Sequence, residues 1–184
     1  MSGLYTFKSL NNFRWIYARI LFYPTLVFNM FLSRVIGIRN WWDQVDEYVI
    51  LGALPTQSDI PKLKNMGIKA VLNVCEEHAG HKEAYFAAGI EQLRLPTIDY
   101  TMPSLKTVQR GVEFIDSCVA RGQKVYVHCK AGRGRSAAIV LCWLMKSKKL
   151  SAQSAMEFLL SRRPHINNQI YKRKVVSEFI EKRF

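Results

Sequence analysis

The first 42 residues contain no aspartate or glutamate. They carry five lysines and arginines, so this end of the chain is basic with nothing to offset it. Residues 43–145 hold twelve basic and eleven acidic side chains, and residues 146–184 hold ten and three. The net charge of +13 therefore sits at the two ends, around a nearly neutral middle. Basic ends fit an anionic membrane surface or an anionic polymer. No recognised nucleic-acid-binding motif accompanies them, so a membrane surface is the expected partner and nucleic acid is not. Cysteine is scarce as well. Cys75, Cys118, Cys129 and Cys142 show no paired spacing and no metal-ligand pattern. This fits a reducing compartment without structural disulfides, and no metal is expected. The apolar run 20–32 is only thirteen residues long and contains Pro24, which is short for a membrane span. No small-residue cleavage site follows it, which argues against a secretory signal.

What the N-terminal segment does have is helical periodicity. Phe13, Ile16, Tyr17, Ile20 and Leu21 fall on one face, with Arg14 and Arg19 elsewhere. An acid-poor, arginine-bearing, amphipathic segment is the profile of a mitochondrial targeting sequence or an interfacial membrane anchor. A helix that simply packs on the domain is the other reading. The 184 residues divide into this segment, 1–40, and one domain, 41–184.

Within the domain, strand-like and helix-like stretches alternate. Strands are expected near 41–51, 68–75, 90–95 and 125–127. Helices are expected over 58–66, from His81 to a stop at Gly89, and from Pro103 to residue 120. Further helices are expected over 136–145, from an N-cap at Ser151 to Arg163, and from a cap at Asn167 or Asn168 to the C-terminus. This order implies an α/β fold with a mainly parallel central sheet and helices on both faces. Ligands in such sheets bind beyond the C-terminal ends of strands.

The chain is organised around residues 124–145. Val125-Tyr126-Val127 reads as a buried strand and 136–145 as a buried helix. Between them lies the loop Cys129-Lys130-Ala131-Gly132-Arg133-Gly134-Arg135. A tight strand-loop-helix turn aims backbone N–H groups and the helix dipole at one point, which makes an anion site. A thiol there, ringed by Lys130, Arg133 and Arg135, should ionise near neutral pH. Arg135 can grip two phosphate oxygens at once. Gly132 and Gly134 let the backbone curl close to the ligand. Ser136 can donate to the sulfur, and His128 shapes the loop by hydrogen bonding rather than acting as a base. One loop thus holds a phosphate and sets a sulfur nucleophile behind its phosphorus, the arrangement for covalent phosphoryl transfer. Two other readings stay open on these residues alone: an inert buried cysteine, and a sulfur carrier of the rhodanese type.

His128-Cys129, five residues, then Arg135-Ser136 resembles the signature of the cysteine-dependent protein tyrosine phosphatases, dual-specificity branch. The resemblance extends to Leu21-Phe22-Tyr23-Pro24-Thr25-Leu26 and Leu51-Gly52-Ala53-Leu54-Pro55, which look like the mitochondrial phosphatidylglycerophosphate phosphatases of that branch. It implies a dual-specificity phosphatase fold. It implies hydrolysis of an anionic phospholipid monoester through a phosphocysteine, without metal or cofactor, and a place at the matrix side of the mitochondrial inner membrane. It makes Cys129, Arg135, Asp99, Ser136 and His128 the catalytic residues, with Lys130, Ala131, Gly132, Arg133 and Gly134 binding the phosphate. Asp99 is the only acid between Glu91 and Glu113, in a loop where an Asx-turn aspartate is also common. The resemblance makes it the general acid. Departures from the family pattern are Gly134 in place of serine, the run His78-Ala79-Gly80 after Glu76-Glu77, and an acid loop one residue short after Thr101. A phosphoinositide or phosphoprotein phosphatase and a non-catalytic phosphate-binding adaptor are the competing readings. Two further expectations follow. Removing residues 1–36 should abolish membrane binding and spare activity on soluble esters. If the strands ending at Cys75 and Cys129 are neighbours, these thiols lie within disulfide reach.

Overall fold

The computed structural model describes residues 3–182, with side chains from Trp15 onward. The side chains of Phe13 and Arg14 lie outside the described residues. Five strands form one sheet: β1 (Trp42–Gln44), β2 (Val49–Gly52), β3 (Ile68–Cys75), β4 (Glu91–Thr97) and β5 (Lys124–His128). Their order across the sheet is β1-β2-β5-β3-β4. β1 pairs antiparallel with β2, and every other pairing is parallel. The hydrophobic strand β5 is central, with Val125, Tyr126 and Val127 fully buried between β2 and β3. A parallel strand covered on both faces reads as a continuous apolar run, which is what residues 125–127 supply.

One face of the sheet is covered by α4 (Leu105–Ala120), α5 (Arg135–Ser147), α6 (Ala152–Arg162) and α7 (Lys174–Glu181). The other is covered by α2 (Ile60–Asn65) and α3 (Lys82–Ala88), which bury Ile60, Leu63 and Tyr85 against Ile50, Val71 and Tyr126. α5 is buried without a break from Arg135 to Met145, so it needs no polar face. α4 buries the stripe Val108, Gly111, Val112, Ile115 and Cys118. Its N-cap is Ser104, whose Oγ accepts from the Thr107 N–H, one residue past the expected Pro103 start. Gly89 ends α3 with φ of 69°.

Two expectations fail. Neither Asn167 nor Asn168 caps the last helix. A 3-10 turn over Ile170–Lys172 intervenes, and α7 starts after Arg173 with no side-chain cap. The N-terminal helix is also longer than the apolar run implied. α1 spans Gly3–Met30 with Pro24 inside it, followed by a π turn over Phe31–Val35. The stretch Trp15–Val35 is long and apolar enough to cross a membrane by length and composition.

α1 is not a detached arm, however. Ala18 and Phe22 are buried against the domain. The Trp15 indole donates to Glu76, the Arg19 guanidinium pairs with the same carboxylate, and Tyr17 lies against Tyr100 at 5.9 Å between rings. Its other face stays exposed, with Ile16, Ile20, Tyr23 and Val27 in solvent. The periodicity of Ile16 and Ile20 thus marks the outward face.

Candidate active site

β5 delivers Cys129 at the C-terminal edge of the sheet, and the chain turns through residues 130–134 into α5. Gly132 makes this turn at φ of +65°. A Cβ there would stand 2.3 Å from the Gly52 carbonyl oxygen, so the loop packs against the end of β2 only because residue 132 has no side chain. The Leu54 N–H donates to the Lys130 carbonyl at 3.1 Å and the Asn167 N–H to the Arg133 carbonyl at 3.0 Å. Behind the loop lies Arg163, fully buried. Its guanidinium donates to the Gly132 and Ala131 carbonyls at 3.0 and 3.2 Å and is neutralised by Asp43. Turning these carbonyls backward leaves the loop's opposite side to its N–H groups.

Cys129 lines an open cleft and is itself only 4% exposed. Ser136 Oγ donates to its sulfur at 3.3 Å. Burial disfavours the thiolate, but the Arg135 guanidinium and the side-chain and backbone donors of Ser136 outweigh it. They bring the pKa down to about 7. Arg135 is held from three sides. It donates to Glu77 Oε2 at 2.8 Å and to the Thr97 carbonyl at 2.6 Å. Its Nη2 lies 2.9 Å from Asp99 Oδ1, a charge contact not aligned as a hydrogen bond. Burial works against its charge, but the Cys129 thiolate and the carboxylates of Asp99 and Glu77 keep it protonated.

His128 is fully buried, with Nδ1 3.1 Å from the Cys129 carbonyl. A carbonyl only accepts, so Nδ1 carries the proton. Burial pushes the imidazole pKa down to about 3, so the ring is neutral and holds the loop's first peptide.

Asp99 reaches the same cleft from the loop after β4, where its carboxylate pairs with Lys130 and Arg135. Lys130 does not project into solvent. Its ammonium donates to Thr25 Oγ1 at 2.8 Å and lies over the Tyr100 and Phe22 rings. Of the expected phosphate-binding residues, Lys130, Ala131, Arg133 and Gly134 line the cleft. Gly132 does not, because it faces Gly52 and Arg163.

Sequence reasoning missed three contributors. Glu77 holds Arg135 and also accepts from the Asp99 backbone N–H at 2.6 Å, so one buried carboxylate ties the arginine to the acid loop. It follows the end of β3, on the sheet edge where ligands bind, and that position was its available signal. Arg163 and Thr25 carried no local signal. Cys75 is fully buried on the strand next to β5, two residues beyond the Asn73–His128 register pair. The neighbouring-strand condition for the two thiols is therefore met.

The model of the dual specificity phosphatase catalytic domain matches residues 49–181. Phosphatidylglycerophosphate phosphatase PTPMT2 of Arabidopsis thaliana is 42% identical over 88% of this chain and 72% of its own length. Phosphatidylglycerophosphatase and protein-tyrosine phosphatase 1 of Mus musculus is 39% identical over 88% of this chain and 89% of its own. The crystal structure of PTPMT1 in complex with PI(5)P superposes with a TM-score of 0.69 at 32% identity, covering 78% of this chain and 99% of that one. With its cysteine loop, arginine and aspartate gathered at one cleft, the chain belongs to the dual specificity phosphatases, among the phosphatidylglycerophosphate phosphatases.

Proposed function

We propose that the chain hydrolyses phosphatidylglycerophosphate to phosphatidylglycerol at the matrix face of the mitochondrial inner membrane. The observation that carries the chemistry is Cys129, a thiol with pKa near 7 beside Arg135 in a cleft open to solvent. The names of its relatives supply the substrate. The acid-free, basic N-terminus supports the location.

In this reading Arg135 and the loop N–H groups bind the monoester phosphate. The Cys129 thiolate attacks phosphorus, an S–P bond forms, and the bond from phosphorus to the glycerol oxygen breaks. Asp99 gives its proton to that oxygen. The arriving phosphate takes up Arg135, the cation that faces Asp99. Asp99 then takes a proton from water as the water attacks phosphorus. The S–P bond breaks, phosphate leaves, and Ser136 steadies the returning thiolate. His128 and Glu77 position the loop and the arginine.

The test is kcat/KM on phosphatidylglycerophosphate, phosphoinositide monophosphates and phosphotyrosine peptides, with lipids in micelles. Phosphatidylglycerophosphate should lead. Cys129→Ser should lose turnover and keep phosphate affinity. Asp99→Asn should lose about 10²–10⁴ in rate on the lipid and less on p-nitrophenyl phosphate, whose leaving group needs little protonation. A clear preference for phosphotyrosine peptides would overturn the lipid reading.

A further inference from the structure

The cleft above Cys129 has a volume of about 680 Å³ and runs past the cysteine loop to a second group of cations. Arg39, Arg133 and Arg173 line it, together with His165 and Asn167. They come from the segment after α1, the tip of the cysteine loop and the residue before α7. Arg39, Arg133 and His165 also share an adjoining recess with the buried Arg163.

Among the described residues, no carboxylate lies within ion-pair distance of Arg39, Arg133 or Arg173. Arg34, Lys130, Arg135 and Arg163, in contrast, each face one. Arg39 and Arg133 are half-buried, so solvent only partly screens them. Arg133 shows the cost: burial and repulsion from Arg39 and Arg163 lower its pKa. Gathering uncompensated guanidinium groups on one wall is unfavourable unless an anion joins them. Guanidinium groups suit phosphate oxygens, which they bind in pairs.

We propose that Arg39, Arg133 and Arg173 form a second phosphate subsite, which holds the diester phosphate of a substrate whose monoester phosphate lies on the Cys129 loop. The choice of a diester rests on the lipid reading above; the subsite itself rests on the arginines. Lys130 is committed to Asp99 and Thr25, so the second charge of the head group falls to these three residues.

The test uses water-soluble probes as competitive inhibitors of p-nitrophenyl phosphate hydrolysis by the full chain. Propane-1,3-diyl bisphosphate carries two phosphates, and propyl phosphate carries one. The wild-type chain should bind the first about 10–10²-fold more tightly, the range for one charge-assisted hydrogen bond. In Arg39→Gln/Arg173→Gln this ratio should fall towards one, and Arg39→Lys/Arg173→Lys should retain part of it. Lys62→Gln/Lys64→Gln, on exposed α2 positions, removes the same charge elsewhere and should leave the ratio alone. Arg173 is exposed, so the single Arg173→Gln variant serves if the double variant fails to fold. A ratio indifferent to the arginines, or equally sensitive to the α2 lysines, overturns the subsite. Turnover of phosphatidylglycerophosphate is measured alongside. An arginine-dependent ratio without lipid turnover would sink the lipid reading and keep the subsite. Lipid turnover with an arginine-independent ratio would do the reverse.

Discussion

Cys129 is poised by two neighbours that oppose its burial, and each side of that balance has a measurable consequence. With its pKa near 7, the thiol is protonated below that value. The rate of Cys129 alkylation by iodoacetamide should therefore rise about tenfold per pH unit up to near pH 7 and then level. Ser136→Ala removes the 3.3 Å donor to sulfur and should move the rising limb to higher pH. An unmoved limb would show that Ser136 does not stabilise the thiolate. Glu77 acts one step further out, through Arg135 and the Asp99 peptide. Glu77→Gln keeps the shape but discharges the arginine's anchor. A displaced clamp should lower kcat by about 10–10²-fold, with phosphate affinity weakened as well. Wild-type kinetics would reduce Glu77 to packing. The third residue-scale consequence is redox. Peroxide should convert Cys129 to a sulfenic acid with release of water, and the Cys75 thiol should then displace a second water to form a disulfide. Wild-type activity should return with dithiothreitol, and Cys75→Ala should lose that recovery. Equal recovery in both would remove the disulfide from the account.

At the scale of elements, α1 changes most between sequence and structure. Composition alone makes it look separable, a basic apolar segment ahead of a catalytic domain. The structure has it touching three site loops: Glu76 beside Glu77, Tyr100 beside Asp99, and Lys130 inside the cysteine loop. The expectation that residues 1–36 can be removed without effect on soluble esters is therefore revised. Without Thr25 and Phe22, Lys130 loses a hydrogen bond and an apolar cover. Residues 37–184 should turn over p-nitrophenyl phosphate roughly tenfold more slowly than the full chain. Equal rates would restore the separable reading. The strand-loop-helix around Cys129 was legible because its signal is local. A β-branched run, a glycine-bearing turn and an apolar helix all lie within 22 residues. The sheet class was legible from alternating periodicity for the same reason. What stayed hidden acts across long separations: Glu77 on Arg135 over 58 positions, Thr25 on Lys130 over 105, and Arg163 on the loop carbonyls over more than 30. Such partners are chosen by the folded geometry, and no spacing rule marks them. The misplaced cap of α7 is a different failure. Asn167 and Asn168 are good turn formers, and the structure uses Asn167 in a turn with Gln169 ahead of the helix.

For the whole molecule, the two faces of α1 differ in what they touch. α1 buries one face on the domain and leaves Ile16, Ile20, Tyr23 and Val27 exposed, the last three more than 60%. The same helix supplies Thr25, Phe28 and Asn29 to the wall of the cleft. An apolar ridge therefore runs along the outer face of the helix whose inner face walls the cleft, on a segment with no acidic residue. In the proposed membrane reading this helix, fixed to the domain along one side, lies in the interface plane with its free side among acyl chains and its charges at the head groups. Apolar burial and attraction to anionic lipid then contribute separately, and salt distinguishes them, since the Debye length is about 8 Å at physiological ionic strength. Ile20→Ser/Val27→Ser should weaken binding to cardiolipin-containing vesicles at least about tenfold at any salt concentration, because each side chain contributes about 1.5–3 kcal/mol when fully buried. Turnover of vesicle lipid should fall with it. Turnover of p-nitrophenyl phosphate should hold, since neither side chain lines the cleft. If the serine pair binds vesicles as tightly as the wild-type chain, the ridge is not the contact. The surplus of basic residues in 146–184 then becomes the surface that meets the membrane.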